Sequence, residues 1–113
     1  MDEISISAPT SVCELKDGTY QRYVINPEDF GLTYADKKDI VGGTPADNAR
    51  VTREILSGAA GAKTDIVLLN AAAGIYIGGK AETIKDGLEM AKELIANGKA
   101  QQKLNEFIEL SNN

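Results

Sequence analysis

The sequence predicts an α+β arrangement, in which a short strand and a β-hairpin at the N-terminal end precede about four helices. Two strand-like runs flank an Asp-Gly dipeptide, the densest apolar segment runs from Gly42 to Gly79, and two amphipathic stripes follow it. At 113 residues the chain amounts to one domain at most, and it is long enough to bury a core without disulfides or metal ions. We therefore place the core in the segment from Gly42 to Gly79.

Two features predict β structure near the start of the chain. Ile4 to Ser7 alternate apolar and polar side chains, which predicts a short strand closed by Pro9. Ser11–Leu15 and Tyr20–Ile25 surround Asp17-Gly18, and this dipeptide favours a two-residue hairpin turn because both turn positions need a positive φ.

The predicted hairpin register places Leu15 opposite Tyr20 and Cys13 opposite Arg22. No base or cationic group adjacent in sequence would lower the pKa of the Cys13 thiol. We therefore predict that Cys13 is a small packed residue and not a nucleophile.

Two helix starts follow the hairpin. Asn26 caps a predicted single helical turn that has Pro27 at its first position and ends at Gly31, and residues 33–40 are predicted to be loop. Thr44 caps the next helix, which has Pro45 at its first position and ends near Gly58. One face of this helix is mostly apolar and is predicted to pack against another element. It consists of Asn48, Val51, Thr52, Ile55 and Leu56.

The segment from Asp65 to Ile77 is apolar on every side except at Asn70, which predicts a buried helix that starts at Thr64 or Asp65. The run from Ile66 to Leu69 taken alone also suits a buried strand. A buried amide must be hydrogen-bonded, and buried amides are usually structural. We therefore predict that Asn70 is an inter-helix tie and not a ligand contact.

Two amphipathic surface helices are predicted after the core, with their stripes facing it. The first ends at Asn97-Gly98, and the tail from Ser111 to Asn113 is predicted to fray. The stripes are Ile84, Gly87, Leu88, Ala91, Leu94 and Ile95, and then Ala100, Leu104, Phe107, Ile108 and Ser111.

Composition excludes several function classes. The formal charge of −5, with no run of Lys or Arg, argues against nucleic-acid binding. Without histidine and with a single cysteine, the chain cannot form a Ser-His-Asp or Cys-His pair or a His-rich zinc site. No secretory signal opens the chain, and its longest apolar region is too short to cross a bilayer, so we expect no membrane contact and a cytoplasmic location.

Two motifs are candidates for chemistry. Gly42-Gly43-Thr44 precedes a helix N-terminus, where phosphates bind, but it lacks the lysine and spacing of a P-loop, which favours a structural turn and cap. Asp2-Glu3 could together bind Mg²⁺ and so help to hold a diphosphate, although residue types alone favour two solvated acids.

The order of the motifs along the chain is informative. They are Asp2-Glu3-Ile4-Ser5, Pro9-Thr10, Glu14-Leu15, Pro27 to Leu32, Gly42-Gly43, Asn48-Ala49, Ile55 to Gly58, Asn70 to Ala73, and Gly98-Lys99-Ala100. In this order the chain resembles, over essentially its whole length, the C-terminal part of anthranilate phosphoribosyltransferase. Nucleoside phosphorylases share that fold, but the run from Gly42 to Ala73 is more similar to the anthranilate enzymes.

The resemblance implies that residues 1–113 are the C-terminal portion of a larger α/β phosphoribosyl-transfer domain. It implies transfer of phosphoribosyl from phosphoribosyl diphosphate to anthranilate in tryptophan biosynthesis, with magnesium bound by the acidic pair Asp2 and Glu3. The helical N-terminal domain, the diphosphate loop and the anthranilate-contacting arginine of that family have no counterpart in this chain. The resemblance therefore places no catalytic residue here and leaves the substrate-binding residues unknown.

Two functional hypotheses follow. In the first, the chain is part of a glycosyl-transferring enzyme and is inactive alone, because the devices that hold the diphosphate and position the nucleophile lie in the missing part. In the second, the chain is a non-catalytic domain that binds a partner through exposed apolar surface. Both predict an unusually large apolar patch that favours self-association.

Overall fold

The computed structural model describes residues 4–111, except for the side chains of Lys37 and Ile40. A two-stranded antiparallel sheet, β1 (Thr10–Lys16) and β2 (Thr19–Ile25), is followed by short 3-10 turns at Pro27–Phe30 and Lys37–Ile40. The helices are α1 (Pro45–Leu56), α2 (Ala62–Ile77), α3 (Ile84–Ala96) and α4 (Lys99–Ser111). The predicted order of a hairpin and then four helices is confirmed.

Local turn chemistry accounts for the hairpin. Asp17 and Gly18 have φ values of 52° and 78°, the two positive values that the predicted turn requires. Leu15 pairs with Tyr20 and Cys13 with Arg22, so the predicted register is confirmed.

The prediction of a packed Cys13 is wrong, because its side chain is exposed. Side chains on a strand alternate between the two faces of the sheet, and Val12 and Glu14 take the half-buried face of β1. The opposite face, which carries Cys13, is exposed.

The predicted strand from Ile4 to Ser7 is also wrong, because this segment bends and pairs with no strand among residues 4–111. The Ser5 N–H donates to Thr10 Oγ1 at 3.0 Å, and the Ser7 N–H donates to Ser5 Oγ at 3.1 Å. Hydroxyl groups thus take the backbone donors that a strand would have used. Ile6 is nevertheless completely buried.

Caps define the turn after β2. The Asn26 side chain accepts a hydrogen bond from the Glu28 N–H, and Gly31 ends the turn in the left-handed conformation with φ 76°. Both features were predicted. The predicted loop at residues 33–40 is corrected in part, since it contains the 3-10 turn Lys37–Ile40.

Helix α1 begins as predicted, with Thr44 as N-cap, Pro45 in the first turn and a capping box closed by Asp47. Its predicted face is only partly covered, because Ile55 is buried while Asn48 and Thr52 are exposed. The main packing partner of α1 is the outer helix α4, and much of that face stays open.

The core lies between α2 and α3, the most extensively packed pair of helices. One buried cluster joins the two helices through Leu68, Ala72, Leu88 and Ala91. A second cluster, formed by Ile25, Leu32 and Leu69, joins the hairpin and the following turn to α2. Helix α2 is therefore the element on which both halves of the core depend.

The predicted start of α2 at Thr64 or Asp65 is wrong, because the helix begins at Ala62 with Gly61 as the N-cap. The Thr64 hydroxyl donates to the Ala59 carbonyl oxygen at 2.6 Å, so it joins the first turn of α2 to the preceding loop and does not cap the helix. Gly61 supplies a φ of 145°, which suits glycine.

The core-facing stripe predicted for α4 is corrected too, because no residue of α4 is buried. Phe107 is 67% exposed and Leu110 is 74% exposed. Ala100, Leu104 and Ile108 of the stripe are half-buried, and the main neighbours of α4 are α3 and α1.

None of the helices between residues 4 and 111 has the length and apolar character needed to span a membrane.

Candidate functional site

A groove of about 1140 Å³ lies between the inner face of the hairpin and the C-terminal half of α2. Val12 and Ile25 from the hairpin and Ala73 and Ile77 from α2 give it apolar walls. Ligand sites are usually concave, mostly apolar and supplied with a few convergent polar groups. Among the polar residues that line this groove, Asn70 and Glu14 make side-chain hydrogen bonds that join distant segments of the chain.

The first polar group is the Asn70 side chain in the middle of α2. Asn70 Oδ1 accepts from the Ile4 N–H at 2.9 Å, and Asn70 Nδ2 donates to the Ile4 carbonyl oxygen at 2.9 Å. Nδ2 also donates to the Ile66 carbonyl oxygen at 2.9 Å. The prediction that this amide is hydrogen-bonded is confirmed, but the predicted inter-helix tie is wrong. Asn70 binds its own helix and the N-terminal segment, which is 66 residues away in sequence.

The second polar group is the Glu14 carboxylate. The Tyr76 hydroxyl donates to Glu14 Oε2 at 2.7 Å, and the Tyr23 hydroxyl donates to Glu14 Oε1 at 2.8 Å. The Lys16 ammonium completes the group, with Nζ 3.5 Å from the Tyr76 hydroxyl and 5.6 Å from the centroid of its ring. This cluster ties the hairpin to α2 across the groove.

The electrostatics of the cluster favour a charged Glu14. The hydrogen bond from Tyr76, then that from Tyr23, and the nearby Lys16 charge all lower the pKa of the Glu14 carboxyl. Burial, together with the hydrogen bond to Glu14, raises the pKa of Tyr23 to about 12. A carboxylate with both oxygens occupied and a lowered pKa is poorly suited to act as a general base near neutral pH. Its geometry suits holding the hairpin in place.

The sequence analysis did not predict this cluster, although the pairing of Glu14 with Tyr23 could have been inferred from the hairpin register. Val12 pairs with Tyr23 in the hairpin, so Glu14 is the diagonal neighbour of Tyr23, within reach of an aromatic side chain. The contribution of Tyr76 depends on a contact 62 residues apart in sequence, which no local pattern indicates.

We expect the contact between hairpin and α2 to weaken in acid. A folded-state pKa below the unfolded value stabilises the protein above the unfolded pKa, and this stabilisation is lost as the pH falls through the folded pKa. For Glu14 that window lies below the ordinary carboxyl value of 4.5. The ring NMR signals of Tyr23 and Tyr76 should shift together in this window. Glu14→Gln, which does not titrate, should abolish that shift, and an unchanged acid transition in this variant would contradict the assignment.

The predicted metal pair Asp2 and Glu3 lies outside the described residues. In the described part of the chain, no group of three or more His, Cys, Asp or Glu side chains is arranged to hold a metal ion. Two adjacent carboxylates have the chemistry that suits Mg²⁺, which prefers oxygen ligands and binds through one or two carboxylates together with retained waters and substrate phosphates. The next residue, Ile4, lines the groove and is bound to Asn70.

The start of α1 is a structural turn, as predicted. The Gly43 N–H donates to Asn48 Oδ1 at 2.9 Å, and the Asp47 N–H donates to Thr44 Oγ1 at 3.2 Å. The hydrogen bonds from the Thr44 side chain and backbone lower the pKa of the Asp47 carboxyl. The Asp47 carboxylate accepts from the Thr44 N–H and hydroxyl, so a negative charge of the chain itself lies at this helix N-terminus.

Comparisons with known proteins agree with this architecture. The model of the glycosyl transferase family, α/β domain, matches residues 1–101. An anthranilate phosphoribosyltransferase of Methanobrevibacter smithii is 50% identical over 112 residues, which are 99% of this chain and 33% of that protein.

Solved structures point the same way. The crystal structure of anthranilate phosphoribosyltransferase from Thermus thermophilus superposes with a TM-score of 0.82 at 32% identity, covering 96% of this chain and 32% of that one. A variant of the Saccharomyces cerevisiae enzyme with Mg bound gives a TM-score of 0.84 at 27% identity, with the same coverage of 96% and 32%. The chain spans about a third of the length of the relatives it matches.

The resemblance to anthranilate phosphoribosyltransferases that the order of motifs predicted is confirmed by both comparisons. Because the model of its α/β domain matches nearly the whole chain, this protein belongs to the glycosyl transferase family.

Proposed function

We propose that this chain is the C-terminal part of the phosphoribosyl-transfer domain of an anthranilate phosphoribosyltransferase, an enzyme of tryptophan biosynthesis. The observation that carries the proposal is 50% identity over 99% of the chain to a protein of that name, of which the chain covers only 33%. In the reaction, the anthranilate amine forms a bond to C1 of the ribose while the bond from C1 to the diphosphate oxygen breaks. Phosphoribosyl diphosphate and anthranilate are thus the substrates of the assembled enzyme.

In the assembled enzyme this chain would supply the Mg²⁺ ligands and one wall of the phosphoribosyl-transfer domain. Asp2 and Glu3 would hold Mg²⁺, which when bound neutralises charge on the diphosphate. A solved relative with Mg bound supports the choice of metal, and the resemblance in motif order assigns it to Asp2 and Glu3. Asn70, the Glu14 cluster and the apolar lining of the groove would give that part of the domain its shape. A cytoplasmic location follows from the biosynthetic role and the lone Cys13, which cannot form an internal disulfide.

The first experiment measures phosphoribosylanthranilate fluorescence with this chain alone and after coexpression with the part of the Methanobrevibacter smithii enzyme that it does not match. We expect no turnover by the chain alone, because the groups that cradle the diphosphate and position the amine are on the other piece. Turnover is expected after coexpression. Activity of the chain alone above a protein-free control would contradict the proposal.

The second experiment tests the metal ligands in the assembled enzyme. Asp2→Asn combined with Glu3→Gln should depress turnover and raise the Mg²⁺ concentration needed for half-maximal rate. If the two acids serve the metal and not the fold, the free energy of unfolding should change by no more than about 0.5 kcal/mol. Glu93→Gln combined with Glu109→Gln removes two charges from exposed helix positions and serves as the matched control. Magnesium curves that coincide for the two double variants would remove Asp2 and Glu3 from the site.

A second candidate function, partner binding without catalysis, is favoured by the exposed apolar side chains. Ile77 at the end of α2 is 81% exposed, and Leu15, Tyr20, Phe107 and Leu110 are also exposed. Under the transferase proposal the rest of the same protein covers these surfaces, whereas under this second candidate a separate partner does; under both, the chain alone is expected to self-associate. Sedimentation velocity with dye binding tests this point, because a monomer that binds no hydrophobic dye would contradict it.

A further inference from the structure

The groove beside the hairpin runs along the open edge of β1. Its lining includes every residue from Val12 to Asp17 but only Tyr23 and Ile25 of β2. Among residues 4–111, β1 pairs with β2 alone, so its other edge has no neighbouring strand there. The groove therefore occupies the position that a further strand of the sheet would take.

The backbone of β1 has hydrogen-bonding groups on the groove side. In a two-residue hairpin the residues that flank the turn, here Lys16 and Thr19, exchange both backbone hydrogen bonds, and bonded pairs then alternate along the antiparallel ladder. The N–H and C=O groups of Glu14 therefore face β2, whereas those of Cys13 and Leu15 face away from it. An edge of this kind is a template for another strand.

The open edge of β1 lacks the features that commonly prevent pairing. Native edges are blocked by proline, by a bulge or by charged side chains. Strand β1 contains no proline, and it pairs with β2 one residue to one throughout, without a bulge. Its two charged side chains, Glu14 and Lys16, both contact the Tyr76 hydroxyl on α2. Strand β1 thus has the character of an inner strand of a larger sheet.

Helix α2 forms an apolar floor that continues beyond β1. Ala73 and Ile77 line the groove, and Ile77 is 81% exposed. After Asp65 the helix carries no charged side chain. A helix that is apolar on every side is normally buried on every side. A strand in the groove would cover this floor and the open edge together.

The position of Ile4 indicates which segment can reach this edge. Ile4 lines the same groove, where two hydrogen bonds to the Asn70 side chain hold its backbone. The residues before Ile4 span only on the order of 10 Å even when fully extended. Because the chain covers 33% of its Methanobrevibacter smithii relative, most of a whole enzyme of this kind lies outside the chain. The proposed function places that part ahead of the chain, within reach of β1.

We propose that the open edge of β1 is completed by an extended segment of the transferase that precedes this chain in the whole enzyme. The inference rests on the proposed function, which makes this chain the C-terminal part of that protein. The added strand takes the backbone hydrogen bonds of Cys13 and Leu15 and packs apolar side chains on Ala73 and Ile77. Main-chain bonds hold such a strand in place, and pockets for its alternate side chains make the pairing specific.

The test adds the part of the Methanobrevibacter smithii enzyme that this chain does not match to the isotopically labelled 113-residue chain. NMR follows amide hydrogen exchange at a concentration at which sedimentation velocity shows the chain alone to be a monomer. In the chain alone the Glu14 amide should exchange slowly and the Cys13 and Leu15 amides rapidly. In the complex the Cys13 and Leu15 amides should slow at least about tenfold.

Two proline variants locate the edge. Cys13→Pro removes an N–H on the groove side of β1, and an edge strand tolerates proline where the N–H faces solvent, so the pairing with β2 stays intact. It should raise the dissociation constant of the complex about tenfold or more, because proline cannot donate to the added strand. Arg22→Pro makes the same kind of change at the opposite edge, since Arg22 is the cross-strand partner of Cys13, and it should bind as the wild type does. If Cys13→Pro does not fold, exchange in the wild-type complex decides.

The results separate this inference from the function on which it rests. If the complex makes phosphoribosylanthranilate while the Cys13 and Leu15 amides exchange as fast as in the chain alone, the function stands and the strand addition is overturned. Slow exchange in a complex without turnover retains the strand addition and overturns the assigned reaction.

Three other outcomes also overturn the strand addition. The first is that the two pieces form no complex. The second is that Arg22→Pro weakens the complex as much as Cys13→Pro does, or more. The third is protection of Cys13 and Leu15 that rises with the concentration of the chain alone and is not increased by the other piece, which would assign the edge to a second copy of this chain.

Discussion

Replacing Leu69 by alanine is expected to lower the free energy of unfolding by about 2 to 5 kcal/mol. The Leu69 side chain has no exposed surface and packs in the cluster that joins the hairpin to α2 through Ile25 and Leu32. Truncation removes buried methyl groups and leaves a cavity between elements that are held apart by their own packing, so the gap cannot close fully. Urea denaturation measures the loss.

Val67→Ala is the matched control for Leu69. Val67 lies two residues earlier on the same helix and is 42% exposed, so its truncation should cost no more than about 0.5 kcal/mol. The two replacements differ in helix propensity by only a few tenths of a kcal/mol, which is much less than the expected difference in stability. Equal losses would show that the cluster around Leu69 does not carry the attachment of the hairpin.

The second large effect is expected at Gly87, where α3 crosses α2. A Cβ atom at this position would lie 2.5 Å from the carbonyl oxygen of Ala72 and 3.2 Å from its carbonyl carbon. These are backbone atoms that no rotamer change can move, so Gly87→Ala must push the two helices apart. Overpacking typically costs about 1 to 3 kcal/mol and here exceeds the helix-propensity gain of about 1 kcal/mol from replacing glycine.

Gly74→Ala is expected to change the free energy of unfolding in the opposite direction. Gly74 lies inside α2 and has nothing within 4 Å of the site that its Cβ would occupy. Only the propensity gain remains, so we expect Gly74→Ala to stabilise the chain by up to about 1 kcal/mol. The two variants make the same chemical change in neighbouring helices, and thermal unfolding measures both. Stabilisation by both would mean that α2 and α3 are not in close contact at Gly87.

Several elements could be predicted because their causes are local. Asp17-Gly18 favours a hairpin turn through the backbone of two residues, and the turn then sets the pairing of Leu15 with Tyr20. Asn26 and Thr44 satisfy backbone donors two or three residues away, so the start of each helical element is encoded nearby. The family was also predictable, because the order of short motifs along a chain can be read from the sequence without knowing how the chain packs.

The candidate site depends on contacts that no local pattern carries. Asn70 meets Ile4 across 66 residues, and Tyr76 meets Glu14 across 62. The spacing of apolar residues shows which face of an element needs a partner, but not whether a partner is present. For this reason the apolar spacing of α4 predicted a core-facing Phe107, although the structure leaves this side chain exposed.

The sequence by itself determined the hairpin and its register, the existence of the four helices, the capping of α1 and the family. Only the tertiary structure decided that Ile4 to Ser7 bends instead of pairing, that Cys13 is exposed, and which partners Asn70 and Glu14 have. The physical reason is the range of the interactions. Turns and caps are satisfied within a few residues, whereas burial and side-chain hydrogen bonds across a groove exist only once α2 has brought distant segments together.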